Sequence, residues 1–522
     1  MPASNKSLET IFPVSLGLVG SLPQDIEPVD FPSFLAENRT LDHTPPYLPD
    51  LAALEYARHQ LNTASPPFPR TVAILTINPT MRILEFDWTG LPAYLHDQSL
   101  PPQPGLSLVL LYRPDPQSPA EIRTPCGHDL LAMKMALERT DSRAAAGEAG
   151  VTLGRINAIL GAAVRQGLLL APPSTLVRDP SFLSERFADP ELSRVTTFVL
   201  QWHLTQACDL HCRHCYDRSA RTIMTLAQAR HVLDELSAFC QVHHVHAQVS
   251  FSGGNPFLYP HFFELYQETL DRGFLVAILG NPMEEPFLDR LATIGPPEFY
   301  QVSLEGLREH NDYMRGAGHF DRTLAFLDLL RRLGIYSMVM LTLTRANGDQ
   351  VIPLARLLRG RTDLFTFNRL AMVGEGAELA SLEADRFRPL LRDFLDEVSR
   401  QEHLSLKDNF FNLLLQEQGG PLTGGCTGFG CGAAFNFVSL LPDGEVHACR
   451  KFPSPIGNIF AQSLSDIYAC AAADRYRSGS SACQGCQLRP VCRGCAAVTH
   501  GFGLDVFSER DPYCFKNLGS DY

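Results

Sequence analysis

From residue 195 to about 368 the chain alternates short apolar, β-branched runs with longer segments whose apolar residues recur at helical spacing. Strands are predicted at 196–204, 246–251, 274–279, 299–304, 336–343 and 364–368, and helices at 225–239, 259–271, 285–293, 321–333 and 350–359. Strand and helix in strict alternation build a parallel sheet, because a parallel neighbour can be reached only through a crossover. Six strands predict a mixed α/β domain with a partial (β/α)6 barrel, spanning 190–375. An eight-stranded barrel would need more chain.

The flanking regions have other patterns. Residues 1–69 hold many prolines and show helical spacing only at 51–62, which predicts an extended N-terminal arm. Residues 70–185 switch to strands at 71–77, 82–88 and 106–112, then helices at 129–138, 144–149 and 152–166 and a short strand at 168–171. In the last helix Leu153, Ile156, Ile159, Leu160, Ala163 and Val164 share one face, and Gly167 ends it. This winged-helix-like α+β order is similar to the peptide-recognition element of many enzymes that modify ribosomal peptides. A purely structural or DNA-reading winged helix is the alternative. Beyond the barrel, a helix at 383–401 is expected within a helical linker, 376–425, followed by a cysteine-rich domain, 426–522.

Composition narrows the classes. The chain has 522 residues, 45% hydrophobic and 19% charged, so several globular domains are expected. No apolar run approaches the ~18 residues that cross a bilayer. The apolar stretch 11–22 contains Pro13 and has no basic start, so no membrane association and a cytoplasmic location are expected. A net charge of −13 argues against nucleic acid as a partner. CxxC spacings suit metal or cluster ligation in a reducing compartment better than disulfides.

Eleven of the fourteen cysteines form two sets. The first is Cys208-x3-Cys212-x2-Cys215, directly after the first barrel strand, where barrel enzymes place their chemistry. Three thiolates leave one iron of a [4Fe–4S] cluster without a protein ligand, open to a small molecule carrying an amine and a carboxylate. Zinc, which usually brings a fourth ligand, or three buried thiols are the competing readings. The loop resembles that of the radical SAM superfamily, and the resemblance implies S-adenosylmethionine as the chelating molecule. His214 stands where the family usually has an aromatic near the adenine, and Tyr216 follows. Ser252-Gly253-Gly254-Asn255-Pro256, after the second strand, matches the family's glycine-rich stretch that meets the methionyl amine, except that Asn255 replaces a glutamate. Ser303 and Glu305, after the fourth strand, and Arg315 or Arg322 match positions that bind ribose and the methionyl carboxylate. Carboxylates suit hydroxyl donors, and guanidinium suits bidentate capture of a carboxylate.

The second set is Cys426, Cys431, Cys449, Cys483, Cys486, Cys492, Cys495 and Cys514, enough for two more cubanes or for a pair of zinc ribbons. A hairpin is expected to turn at Asp443-Gly444, just before Cys449. This region looks like the SPASM auxiliary-cluster domain, with two residues where the family more often has three between Cys492 and Cys495. The resemblance implies one cluster on Cys426, Cys431, Cys449 and Cys495 and another on Cys483, Cys486, Cys492 and Cys514. Cys126, Cys240 and Cys470 read as small buried residues.

"FSGGNPFLYPHF" and "GCGAAFNFVSLLPDGEVHACRKFPSPIGN" look like the selenobiotic-type, thio(seleno)oxazole-modification radical SAM maturases. That resemblance implies a 5′-deoxyadenosyl radical, a ribosomally made precursor peptide modified at Cys or Sec positions, and a flavodoxin- or ferredoxin-type electron donor. The rivals are a sulfatase-maturase-like oxidation, a small-molecule or tetrapyrrole SPASM enzyme, and a non-enzymatic iron–sulfur carrier. Glu375, Asp408 and Asn409 are candidates for the catalytic acid or base by position alone.

Overall fold

The computed structural model describes residues 4–19, 26–38, 44–182 and 193–516. It divides into two compact units, Met1–Pro173 and Ser174–Tyr522. The expected domain boundary at 185–190 lies outside the described residues.

The first unit corrects the expected arm. Residues 1–69 contain helices at Ser4–Ile11, Pro13–Val19, Phe31–Glu37 and Leu48–Thr63. Three of the four span eight residues or fewer, too short to establish a period. Their prolines sit in the first turn, where the missing N–H costs nothing, so they start helices here. Phe12, Phe31, Leu35, Leu48 and Leu51 pack with Phe86, Leu91 and Val109 in one core. The buried Glu55 carboxylate accepts from the Val14 and Ser15 amides at 2.9 and 3.0 Å, tying two helices together.

The rest of this unit follows the expected order. Strands β1 (Thr76–Ile77), β2 (Arg82–Thr89), β3 (Gln103–Tyr112) and β4 (Glu121–Arg123) precede helices Gly127–Glu138, Ser142–Ala149 and Leu153–Arg165 and strand β5 (Leu169–Leu170). β2, β3 and β4 form an antiparallel sheet, and β1 pairs with β5 through Thr76↔Leu170. The predicted first strand shrinks to two residues because only these find a partner. Thr152 caps the last helix, as its side chain accepts from the Arg155 amide.

In the second unit, β6 (Thr197–Thr205), β7 (His246–Gly253), β8 (Leu275–Leu279), β9 (Phe299–Ser303), β10 (Ser337–Leu343) and β11 (Leu364–Arg369) run parallel in sequence order. The crossovers carry helices Leu226–His243, Phe262–Asp271, Glu285–Ile294, His319–Arg332 and Val351–Leu357, with an extra helix at Arg308–Arg315. Along β6, Phe198, Leu200 and Trp202 are buried in the core, while the alternating Val199 and Gln201 face a cavity.

Two further segments adjoin the barrel. The segment read as a linker, 376–425, contributes helices Ala384–Val398 and Phe411–Glu417, whose Phe387, Leu391, Phe394, Phe411 and Leu414 belong to the barrel core. The cysteine-rich region continues the barrel sheet. β12 (Phe437–Leu440) pairs parallel with β6 through Val438↔Leu200, and β13 (Glu445–His447) and β14 (Pro455–Asn458) extend the same sheet to nine strands. Gly444, at φ +86, makes the expected turn between β12 and β13.

Candidate active site

The ends of the parallel strands open into a cavity of about 830 Å³. Its wall alternates with the pleat: Gln201, Gln248, Ser250, Gln301, Ser303, Thr342 and Asn368 face inward from β6, β7, β9, β10 and β11. Cys208, Cys212 and Cys215 line this space, as do His214, Tyr216, Gly253, Gly254, Ser303 and Arg315.

The cysteine loop is held by backbone. Gly254 and Asn255 donate to the carbonyls of Thr205 and Ala207, each at 2.8 Å. A Cβ at Gly253 would lie 2.3 Å from the Thr205 oxygen, and one at Gly254 2.1 Å from that of Ala207. The glycine pair thus serves first to let β7 approach the cysteine loop. Gly374, at φ +59, supports the loop's other end: a Cβ there would lie 2.6 Å from the Tyr216 oxygen, and the Glu375 amide donates to Cys215.

The Asn255 side chain turns to the cysteine loop. It is 1% exposed and does not line the cavity. Its amide donates to Asp209 at 3.0 Å, and Asn281 donates to the same carboxylate at 2.6 Å and to the Cys208 sulfur at 3.5 Å. A neutral Asn beside Asp209 avoids the repulsion that a second carboxylate would bring.

Glu305 is fully buried and does not line the cavity either. One oxygen receives Arg315 Nη2 at 2.6 Å and Nε at 2.9 Å; the other receives the Thr342 amide at 2.7 Å. Burial opposes its charge, but His214, Arg315 and the amide outweigh it and hold its pKa below the usual carboxylate value. Glu305 therefore orients Arg315, which faces the cavity and approaches the Cys212 sulfur at 3.7 Å. Arg322, the alternative arginine, is exposed on helix His319–Arg332 and absent from the lining. Burial lowers the pKa of His214 to about 4, so its ring is neutral at pH 7.

The residues present fit the implied group. Three thiols share one cavity wall, and beside them His214 Nδ1 and Tyr216 Oη are buried without a hydrogen-bond partner, as polar atoms awaiting a ligand would be. Among the described residues no three His, Cys, Asp or Glu side chains gather closely enough for a single metal ion.

The second cysteine set separates in space. Cys426, Cys431, Cys449 and Cys495 line the same cavity as the loop; Cys483, Cys486, Cys492 and Cys514 do not. Cys449 interacts electrostatically with Cys495 and Cys431, whereas Cys483 and Cys492 each interact with Cys486 and Cys514. Burial pushes the Cys449 thiol up to about 12 and Cys483 and Cys495 up to about 11, so iron must displace protons to bind them. Cys240 is buried, and Cys470 caps helix Ala471–Ser478. Cys126 is exposed at the start of helix Gly127–Glu138, against the buried reading.

Of the acid–base candidates, Glu375 is exposed and outside the lining. Asn409 accepts from the Cys426 amide at 2.8 Å and donates to Gly494, which positions a cysteine rather than a proton. Asp408 lines the cavity but pairs with Arg369 at 2.8 Å; Arg369 is also paired with Asp511 at 2.8 Å. Sequence reasoning missed Arg450. It follows Cys449, lines the cavity, donates to Ser252 at 2.7 Å and stacks 4.6 Å from the Tyr216 ring. Only its neighbour Cys449 could have flagged it.

Residues 202–358 match the Radical SAM superfamily model, and 431–496 match SPASM, an iron–sulfur cluster-binding domain. The mycofactocin maturase MftC of Mycobacterium tuberculosis (strain ATCC 25618 / H37Rv) is 30% identical over 337 residues, covering 61% of this chain and 82% of that protein. The AdoMet-dependent heme synthase of Methanosarcina barkeri is 26% identical over 352 residues, 62% of this chain and 97% of that one. Among solved structures, Streptococcus suis SuiB bound to its precursor peptide SuiA has a similar fold, with TM-score 0.50 and 16% identity over 78% of this chain and 97% of that chain.

Proposed function

We propose that this chain, which belongs to the radical SAM superfamily and carries a SPASM iron–sulfur domain, modifies a ribosomally made precursor peptide at Cys- or Sec-containing positions. The family brings a [4Fe–4S] cluster that binds S-adenosylmethionine, together with auxiliary clusters. When bound and reduced, that pair supplies a 5′-deoxyadenosyl radical able to abstract hydrogen from an inert C–H bond. In this reading Cys208, Cys212 and Cys215 hold the first cluster. Arg315, fixed by Glu305, meets the methionyl carboxylate, while His214, Tyr216, Gly253, Gly254 and Ser303 contact the rest of the molecule. Cys426, Cys431, Cys449 and Cys495 hold one auxiliary cluster; Cys483, Cys486, Cys492 and Cys514 hold the other. A flavodoxin- or ferredoxin-type protein delivers the electron.

One observation carries the reading: the three loop cysteines and four SPASM cysteines line a single cavity of about 830 Å³. In this reading a substrate held there faces the radical source and an auxiliary cluster at once. The winged-helix-like order read over residues 70–185 supports a peptide substrate by fold-level analogy. The heme synthase relative favours a tetrapyrrole as the second reading. Among the described residues no helix is long and apolar enough to cross a membrane.

Anaerobic turnover with S-adenosylmethionine and each short Cys-rich peptide encoded beside the gene tests the proposal. A mass change localised to a Cys or Sec position by fragmentation is the expected result. Turnover of an iron porphyrin with no change in any peptide would replace the peptide reading by the tetrapyrrole one.

A further inference from the structure

Between the two auxiliary cysteine groups lies a cluster of positive charge. Arg178, Arg489 and Arg493 are 4%, 8% and 9% exposed. Their guanidinium carbons stand 5.5, 3.6 and 5.4 Å from the centre of the Phe182 ring, and Arg178 also lies 3.6 Å over Phe435. Arg178 donates to the carbonyls of Phe429 and Cys431 at 2.9 and 3.1 Å, Arg489 donates to Ser478 at 3.3 Å, and Arg493 donates to Arg477. All three Nε atoms and Nη2 of Arg493 are buried without a hydrogen-bond partner.

Three buried cations side by side are costly without nearby negative charge. Among the described residues none of the three has an Asp or Glu ion pair. The described acids in the area are otherwise engaged: Asp511 with Arg369 and the Cys495 amide, Asp474 with Arg477, and Glu509, which lines the void, with the Asp505 amide at 2.6 Å. Asp179 faces Arg489, and the Tyr468 hydroxyl faces Arg178. Among the described residues the other acidic groups that interact electrostatically with the three arginines are thiols. Cys431 faces Arg178 and Arg493, Cys483 faces Arg489 and Arg493, and Cys492 faces Arg493. Arg493, Cys431 and Cys483 line one small void between the two cysteine groups.

We propose that Arg178, Arg489 and Arg493 are a shared counter-charge for the two auxiliary iron–sulfur sites, and that their positive charge raises the reduction potential of both. The inference rests on the assignment of the eight cysteines to two clusters. A doubly positive [4Fe–4S] core held by four thiolates is dianionic. Taking one electron from a donor such as dithionite makes it trianionic, and nearby fixed cations stabilise the trianion more than the dianion. Arg493 faces thiols of both groups, so its loss reaches both sites, whereas of the thiols Arg178 faces Cys431 alone and Arg489 faces Cys483 alone.

Redox titration of the reconstituted full-length protein with dithionite, followed by electron paramagnetic resonance and paired with iron analysis, tests this. Arg493→Gln should lower the reduced-to-oxidised ratio of both auxiliary clusters at fixed potential at least tenfold, 59 mV for one electron, and Arg178→Gln should do so for the cluster that includes Cys431. The signal of the S-adenosylmethionine-binding cluster should not move. Arg178→Lys, which keeps the charge without the planar fork, should restore the potentials. If a Gln variant loses auxiliary iron, retention by the Lys variant supports the counter-charge role. Unchanged potentials and full iron in both Gln variants would overturn the proposal, and so would equal defects in Gln and Lys, which point to hydrogen bonding or packing. Wild-type protein that holds iron for fewer than three clusters would instead overturn the cysteine assignment.

Discussion

Gly254→Ala adds one methyl group where the backbone leaves no room for it. The new Cβ would lie 2.1 Å from the Ala207 oxygen, 2.6 Å from its carbonyl carbon and 2.8 Å from the Gln206 oxygen, all of them backbone atoms. Ordinary contact begins at 3.4 Å, so the cysteine loop has to retreat by about 1.3 Å. That retreat strains two backbone hydrogen bonds, from the Gly254 amide to the Thr205 carbonyl and from the Asn255 amide to the Ala207 carbonyl, each 2.8 Å long and each worth about 0.5–1.5 kcal/mol. It also displaces Cys208, one residue beyond Ala207. A misplacement of about 1 Å at a reacting centre can cost on the order of 100-fold in rate. Formation of 5′-deoxyadenosine, followed by chromatography in reconstituted protein, should fall by about that factor. Because the clash is with backbone, the resonance spectrum of the loop cluster should change even without S-adenosylmethionine. Gly147→Ala is the control: nothing lies within 4 Å of a Cβ there, and it sits in a helix, so activity should be unchanged. A Gly254→Ala protein with the wild-type spectrum and rate would refute the argument that this glycine holds the loop in position.

The triple variant Cys208→Ala, Cys212→Ala, Cys215→Ala should abolish reductive S-adenosylmethionine cleavage while keeping the auxiliary iron, measured by iron analysis beside a 5′-deoxyadenosine assay. Glu305→Ala leaves Arg315 buried without its carboxylate, a change that costs about 3–5 kcal/mol in comparable buried pairs; a lowered unfolding temperature and weaker S-adenosylmethionine binding in calorimetry are expected. Asp511→Ala removes a partner of Arg369 and the acceptor of the Cys495 amide, so it should cost a similar amount and release iron from the Cys495 site, read by iron content at constant helicity. Deleting residues 1–173 should raise the precursor-peptide Kd at least tenfold, about 1.4 kcal/mol, in fluorescence anisotropy, while S-adenosylmethionine cleavage without peptide continues.

The βα alternation, the order of the barrel strands and the membership of the cysteine loop were legible in the sequence because they rest on local signals. Period-2 and period-3.6 patterns and three thiols at short spacing survive in one dimension. The short N-terminal helices were not legible, since three of them span eight residues or fewer and are stabilised by a core shared with β2 and β3. Only the tertiary structure could separate Arg315 from Arg322: they are seven positions apart in a helical region, and which one meets Glu305 depends on the break at Gly316 and Gly318. The same holds for Asn255, whose side-chain hydrogen bond to Asp209 the motif did not show. It holds most for the eight later cysteines. Their number predicted two clusters and the resemblance implied their grouping, but the placement of one group in the cavity wall, and of Arg178 beside residues some 250 positions away, is seen only in the fold, where β12 joins β6. Local chemistry is written in neighbouring residues, whereas long-range pairing is a property of the folded sheet alone.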